Sequence, residues 1–503
     1  MKPSKTIAPL FPASVSLRGL LLAAALAVLP HYAMAYTPPQ MFGVNLSGAE
    51  GGKMPGSGTY PYGHYGYDYI YPSQAEFDYY KTKGVNLVRV PIKWERIQHS
   101  LNATLDATEM GRVDAVIGYA RNNGMQVLID LHNYNKYAIL TGTVFTSYLV
   151  SGTNPVTPAN LQNVWDQLST RYASETGIFG YDLMNEPGGT LANWQPEAQA
   201  VVNTIRTHDS KHWVVVEGIN WAGAQSWATS NSTLSITDSA AKLIYSAHSY
   251  WDKTVNNPFK FDGIYGTYAA EAGYPNMGVD CMQPFVSWIT SHGYNGFVGE
   301  YGVPGSGSAD AASWKTVLDT GLSYLKTNGL SGCYWAGGPW MGGYALVCEP
   351  YPTTSGTDQP QMSILQKYGS FLYEAEAIVS GTATDAVSIF NENAASQGAG
   401  EKLASNAVND YISYVLPAVP AGTYTVMVRV KTYGTRGTFQ LSIDGVNQGA
   451  VQDEYGGSTY PDLNLGTKTF STTADHSFKF TVQGKNASST GYDLTFDYIH
   501  LKK

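Results

Sequence analysis

The chain has 503 residues, too many for one ordinary domain, and that length suggests two or three. It carries 30 Lys and Arg against 39 Asp and Glu, a formal net charge of -9, which argues against a nucleic-acid binder with its basic footprint. With 14% charged and 43% hydrophobic residues a large core is expected, and three cysteines allow at most one intramolecular disulfide, so this is no disulfide-stapled scaffold. The 37 Tyr and 11 Trp suit a protein that meets flat, neutral, hydroxyl-rich ligands, although composition alone fits an adhesive sandwich protein equally well.

The N-terminus reads as an address. Lys2, Lys5 and Arg18 precede the apolar run GLLLAAALAVLP at 19–30, and Ala33-Met34-Ala35 offers a small-x-small cleavage site before Tyr36. That is the layout of a secretory signal peptide over 1–35. The apolar run is too short for a membrane span, which needs about 20 residues. The mature chain is therefore expected to be secreted, extracellular or periplasmic, and off the membrane.

From 41 onward, short apolar runs alternate with amphipathic stretches. The runs are MFGVNL (41–46), VNLVRVP (85–91), MQVLIDLH (125–132), FGYDLMN (179–185), HWVVVEG (212–218), KLIYSAHSY (242–250), GFVGEYG (296–302) and SGCYWA (331–336). Helical spacing of apolar residues recurs between them at 109–124, 160–175, 192–208, 282–293 and 309–329. Eight such runs predict an α/β fold, a (β/α)8 barrel over 36–370. A doubly wound sheet would carry a Gly-rich phosphate turn after its first strand, and VNLSGAEGGKMPGSG lacks that spacing. Beyond 370 the texture changes to period-two alternation broken by Gly, Asn and Asp, as in TYTVMVRVKTY and TFQLSIDG. This predicts a small antiparallel β-sandwich of the jelly-roll kind over 371–503.

Catalytic groups of a barrel sit at the C-terminal ends of its strands. Those ends hold Arg89, Asp130 with His132, Asn185 with Glu186, His248 with Tyr250, Glu300 and Trp335. Two carboxylates on separate strands, among Arg, Asn, His, Tyr and Trp, fit glycosidic-bond cleavage, which needs one acid and one carboxylate flanking the sugar. Zinc chemistry lacks HExxH or a cysteine cluster, and a Ser-His-Asp hydrolase has only GSGSA at 305–309 in place of GxSxG.

At these residues the chain resembles glycoside hydrolase family 5, the cellulase family of retaining barrels. VNLVRVP, LIDLHNY, YDLMNEP, SAHSY, FVGEYG and YWAGG carry the resemblance, in order, over roughly 40–340. It implies Glu186 as general acid/base and Glu300 as nucleophile, with their carboxyls about 5–5.5 Å apart. It further implies that Asn185 bonds the sugar 2-hydroxyl, that Arg89 and Tyr250 hold and aim Glu300, that His132 and His248 line the neighbouring subsite, and that Trp335 stacks under the sugar. NYNKY at 133–137 and the tyrosine tract at 60–72 look like the fungal-type endo-β-1,4-glucanases. Trp221, Trp251 and Trp340 lie past strand ends, where further subsites form. The partner so implied is a β-linked polysaccharide or oligosaccharide, cleaved without a cofactor by a monomer.

The C-terminal segment resembles carbohydrate-binding modules of the family 6 and family 35 kind, through YEAEA, GEKLAS, NDYISYVL, AGTYTVMVR and TFDYIHL. That implies a structural calcium held by Glu374, Glu376 and Asp497. Rival readings keep the machinery but change the polymer to mannan, xyloglucan or a β-1,3-glucan, or make the barrel an inactive carbohydrate-binding protein. Cys333 is expected to stay reduced inside the barrel, whereas a Cys281–Cys348 bond is left open. The Trp335–Ala336 peptide is expected to be cis.

Overall fold

The computed structural model describes residues 36–251, 274–305, 310–353, 356–378 and 381–503; the signal segment at 1–35 lies outside them. In chain order the first half gives β1 (Phe42–Leu46), α1 (Gln74–Lys83), β2 (Leu87–Ile92), α2 (Trp94–Ile97), α3 (Ala107–Asn122) and β3 (Gln126–Leu131). A hairpin of β4 (Lys136–Thr141) and β5 (Val144–Leu149) then precedes α4 (Pro158–Tyr172), β6 (Ile178–Asp182), α5 (Leu191–Ile205) and β7 (Trp213–Glu217). The series ends with α6 (Trp227–Ser230), β8 (Leu243–Tyr250), α7 (Met277–His292), β9 (Gly296–Gly302), α8 (Ala311–Thr327) and β10 (Ser331–Gly337). The strands β1-β10-β9-β8-β7-β6-β3-β2 close into a barrel, paired in parallel throughout.

Each barrel strand is an almost continuous apolar run because both of its faces are covered, one by the barrel interior and one by helices. Local chemistry fixes the helix starts. Ser73 and Glu76 form a capping box on α1, Thr157 and Asn160 one on α4 with Pro158 in the first turn, and Asp106 accepts from two backbone N–H groups of α3. Helix tryptophans then tie the strand ends down. Trp165 of α4 donates to the Leu183 carbonyl at 3.0 Å, and Trp194 of α5 to the Glu217 carbonyl at 2.8 Å. The backbone that must present polar groups at the mouth is thereby held by buried indoles.

The C-terminal part forms two antiparallel sheets. Its strands are β11 (Ser370–Glu374), β12 (Gly381–Ala383), β13 (Val387–Asn391), β14 (Ala399–Leu403), β15 (Tyr411–Val419), β16 (Gly422–Val430), β17 (Gly437–Ile443), β18 (Val446–Asp453), β19 (Asp462–Phe470), β20 (Ala474–Lys485) and β21 (Leu494–Lys502). One sheet runs β13-β14-β21-β16-β19 with β11 beside β21; the other runs β12-β15-β20-β17-β18. Inward residues of both, including Leu416, Phe439 and Phe480 against Val426, Phe496 and Leu501, share one core, as a sandwich requires.

The sandwich seals the floor of the barrel. Leu372 and Tyr498 join Met41, Leu87, Leu128, Trp213 and Cys333 in a common apolar cluster. Around it the Ser370 N–H donates to the Gly84 carbonyl at 2.7 Å, and Lys242 Nζ to the Ala395 carbonyl at 2.8 Å.

All three cysteines are buried and none forms a disulfide among the described residues. Cys333 is reduced inside the barrel, as expected, and burial pushes its thiol up to about 12. The Cys281–Cys348 bond is not formed: Cys281 lies on α7 rather than in a loop, and Cys348 pairs with the Tyr80 hydroxyl at 3.3 Å. The Trp335–Ala336 peptide is cis, as expected. Among the described residues no helix is long and apolar enough to cross a membrane.

Candidate active site

The strand ends bring together Arg89, Asp130, His132, Asn185, Glu186, His248, Tyr250, Glu300 and Trp335. At the centre is Arg89 on β2, fully buried. Its Nε meets Asp182 Oδ2 at 2.8 Å, and its Nη1 meets Asn45 Oδ1 at 3.0 Å and Glu300 Oε1 at 2.9 Å. Its Nη2 reaches Asn185 Oδ1 at 2.9 Å, Glu217 Oε1 at 3.0 Å and Asp130 Oδ2 at 3.0 Å. A planar guanidinium can satisfy so many acceptors at once; a lysine ammonium could not. Four surrounding carboxylates hold the guanidinium charged against the cost of its burial.

Glu300 lies in the C-terminal half of β9 and accepts from Arg89 on one oxygen and from the Tyr250 hydroxyl on the other. Glu186 follows β6 with φ 43°, a left-handed conformation that costs a non-glycine residue energy and is common at functional sites. Its N–H donates to Glu217 Oε2 at 2.7 Å, which helps to hold that turn. His248 stands between the carboxylates. Its Nδ1 lies 2.9 Å from Glu186 Oε1 and 3.4 Å from Glu300 Oε2, and its Nε2 lies 2.9 Å from Glu217 Oε1. Burial alone would lower the His248 pKa, but the Glu217 and Glu300 charges carry it well above its usual range. Burial raises Glu186 to about 7 despite the opposing hydrogen bond from His248.

One oxygen of Glu186, one of Glu300 and a ring nitrogen of His248 all lie within 4.8 Å of one another. That group has the residue types of a metal site. Both ring nitrogens of the imidazolium are committed to carboxylates, so His248 has no lone pair to offer an ion. An oxygen of each carboxylate thus approaches the other within 4.8 Å, closer than the 6.5–9.5 Å that separates the carboxyls of inverting glycosidases.

The remaining predicted residues line the same mouth. His132 Nδ1 pairs with Asp130 Oδ2 at 2.6 Å, and burial lowers the imidazole to about 4. The rings of His132 and Trp335 lie near parallel, 5.7 Å apart at 20°. Asn185 gives its carbonyl oxygen to Arg89; among the described residues nothing accepts a hydrogen bond from its amide nitrogen. Gly299, in the VGEYG string, has a local reason to be glycine, since a Cβ there would lie 2.7 Å from Ser246 Oγ and 3.1 Å from His248 Nε2.

Trp251 does not belong to the mouth. It is fully buried, stacked on Tyr301 at 5.2 Å and 11°, with Gly278 of α7 and Gly321 of α8 against its ring. Trp221 and Trp340, 70% and 44% exposed, remain at the surface. Three site residues escaped sequence reasoning: Asn45, Asp182 and Glu217. Each is buried inside or at the end of an apolar run, and a lone polar residue there needs a partner. That was the available signal, though it could not say which partner.

Removing the hub should be costly. Arg89→Met is expected to destabilise the protein by about 3–5 kcal/mol, because it strands buried carboxylates without compensation. Chemical denaturation of the variant would show this as a lower midpoint at an unchanged slope.

Comparison with known proteins agrees with this geometry. Residues 38–339 match the cellulase (glycosyl hydrolase family 5) family. The crystal structure of Pseudomonas stutzeri endoglucanase Cel5A in complex with cellobiose is 35% identical, covering 66% of this chain and 95% of that one, with a TM-score of 0.57. An endo-β-1,4-glucanase structure from Xanthomonas axonopodis pv. citri is 30% identical, covering 65% and 98%, with a TM-score of 0.56. Among curated proteins, endo-β-1,4-glucanase B of Aspergillus niger is 28% identical over 340 residues, 65% of this chain and 90% of its own. A closed parallel barrel, a paired-carboxylate mouth and a family match over most of its catalytic length agree: the chain belongs to glycosyl hydrolase family 5 and is a glycoside hydrolase.

Proposed function

We propose that the chain is a secreted, retaining endo-β-1,4-glucanase in which Glu300 attacks the anomeric carbon while Glu186 protonates the departing oxygen. Glu186 then takes a proton from the water that releases the glycosyl-enzyme. The observation that carries this reading is the convergence of the two carboxylates around His248 within 4.8 Å. Arg89 and Tyr250 fix both Glu300 oxygens, Asn185 keeps its amide for the sugar 2-hydroxyl, and Trp335 with His132 forms the flat wall beneath the ring. Trp221 and Trp340 offer exposed faces to sugar rings farther along the chain. Endo-glucanase names among the relatives, and cellobiose in one related structure, support a β-glucan substrate. Reducing-sugar release from carboxymethylcellulose, mannan, xyloglucan and laminarin, beside a Glu300→Gln control, tests it. The largest release should come from carboxymethylcellulose; mannan as the preferred polymer would overturn the assignment.

The organisation that accompanies this reading is a signal peptide over 1–35, a catalytic barrel over 36–370 and a carbohydrate-binding module over 371–503. Because one chain supplies all the residues named at the mouth, a monomer suffices. In the sandwich, Glu374, Glu376 and Asp497 would hold a structural calcium. Glu374 Oε2 and Glu376 Oε2 are buried without hydrogen-bond partners among the described residues. Burial raises all three carboxyls, Glu376 to about 8 and Asp497 to about 7, a cost that a hard cation would relieve. The three do not present oxygens within 4.8 Å of one another, so the ion would have to draw them together with backbone carbonyls. Calcium added after chelation should raise Tm by on the order of 5 °C. Glu376→Gln should remove that response. An equal Tm with and without calcium would end the proposal.

A further inference from the structure

Away from the catalytic carboxylates, the segment between β1 and α1 folds its tyrosine tract over α2 and the start of α3. The result is a cavity of about 420 Å³ whose lining includes Tyr60, Tyr65, Arg96, Glu109 and Arg112. It shares no residue with the constellation around Arg89.

Among the described residues, two of its buried side chains have unspent hydrogen-bonding capacity. Arg96 is 1% exposed; its Nη1 donates to the Ala49 carbonyl at 2.7 Å and its Nε to the Tyr62 carbonyl at 3.1 Å, but its Nη2 has no acceptor. Glu109 is 5% exposed; its Oε1 takes the Tyr69 hydroxyl and Arg112, but its Oε2 has no donor. The neighbouring Tyr71 hydroxyl, also buried, leans on the same Glu109 carboxylate from outside the cavity lining. Buried polar groups are rarely left so, and an orphaned donor and an orphaned acceptor in one cavity lining call for a ligand group that both accepts and donates. A hydroxyl does both.

The surroundings narrow the ligand further. The cavity's formal charges cancel, Arg96 and Arg112 against Asp106 and Glu109, so neither an anion nor a cation is favoured. Aromatic faces stand at its mouth. Tyr60 is 50% exposed with His64 stacked on one face at 4.2 Å, and Tyr65 is 38% exposed with Arg112 over its ring. Aromatic faces beside a buried donor and acceptor make a receptor for a neutral, hydroxyl-bearing ring. We propose that this cavity is a second sugar-binding site of the barrel, taking one or two glucosyl rings of a β-glucan chain. One hydroxyl would accept from Arg96 Nη2 and donate to Glu109 Oε2, with Tyr60 and Tyr65 stacking on the ring. The choice of glucose as the sugar rests on the glucanase reading.

The test uses the full mature chain and cellobiose. Its cleft is first filled by 2,4-dinitrophenyl 2-deoxy-2-fluoro-cellobioside, which releases dinitrophenolate as the sugar bonds to the nucleophile, with mass spectrometry reporting the adduct. Cellobiose is then titrated into the labelled protein and into a labelled Tyr60→Ala/Tyr65→Ala variant. Both tyrosines are exposed, so their loss should leave folding intact; the circular dichroism and aryl-cellobioside turnover of the variant should match the parent within twofold. At least tenfold weaker binding in the variant, or the loss of one site from its isotherm, is the expected result. Glu109→Gln should weaken the same site while keeping Tyr69 and Arg112 in place. Identical isotherms for parent and variants would overturn the proposal, as would a cellobiose-soaked crystal showing only water between Arg96 and Glu109. Failure of the fluoro-sugar to label the protein would instead count against the glucanase reading. The variant comparison, run on unlabelled protein, would still report on the cavity.

Discussion

Replacing Glu300 by Gln is expected to lower kcat on β-glucan by at least about 10⁴-fold, the scale seen when an enzyme loses its nucleophile. The shape of the site is retained, because the amide oxygen can still accept from Arg89 while its NH2 donates to the Tyr250 hydroxyl oxygen. Binding of cello-oligosaccharide should therefore stay within a few-fold of the parent. Glu300→Ala opens space where the carboxylate stood. Added azide should enter there, attack the anomeric carbon and restore turnover with inverted stereochemistry. Azide-dependent product of retained configuration, or a Glu300→Gln variant with near-parental kcat, would refute the nucleophile assignment.

The second large effect concerns Glu186. Glu186→Ala should reduce kcat/KM on cellulosic substrates by roughly 10²–10⁴-fold, the usual contribution of a positioned general acid. The loss should shrink sharply on a dinitrophenyl cellobioside, whose leaving group needs no proton. The same carboxyl sets the pH profile. Glycosylation needs Glu186 protonated, and burial raises its pKa to about 7, so kcat/KM should fall about tenfold per pH unit above neutrality. With the dinitrophenyl substrate that alkaline limb should flatten. An equal loss on both substrates would move the acid role elsewhere.

Much of this site is legible in the sequence because of how a parallel barrel is built. Its strands are buried on both faces, so each reads as an apolar run, and polar residues at run ends mark the mouth. Arg89, His132, Glu186, His248 and Glu300 all stand out in that way. Glu217 and Asp182 do not, since their partners, His248 and Arg89, are far away in sequence and only the closed barrel brings them together. Trp251 misleads for the opposite reason. It follows a strand end as a subsite residue would, yet Gly278 and Gly321 let two helices close over it. The helix α1 is not predicted because its polar and apolar residues hardly segregate; a capping box and Gly84 set its ends. The disulfide question turns on the same limit, since composition permits a pair but only α7 decides where Cys281 sits.

The most direct measurement is a proton NMR time course of cellopentaose cleavage, recorded before mutarotation. The arrangement of Glu186 and Glu300 around His248 predicts that the new reducing ends appear first as the β-anomer. The α-anomer appearing first would show single displacement and contradict the assignment of Glu300 as nucleophile.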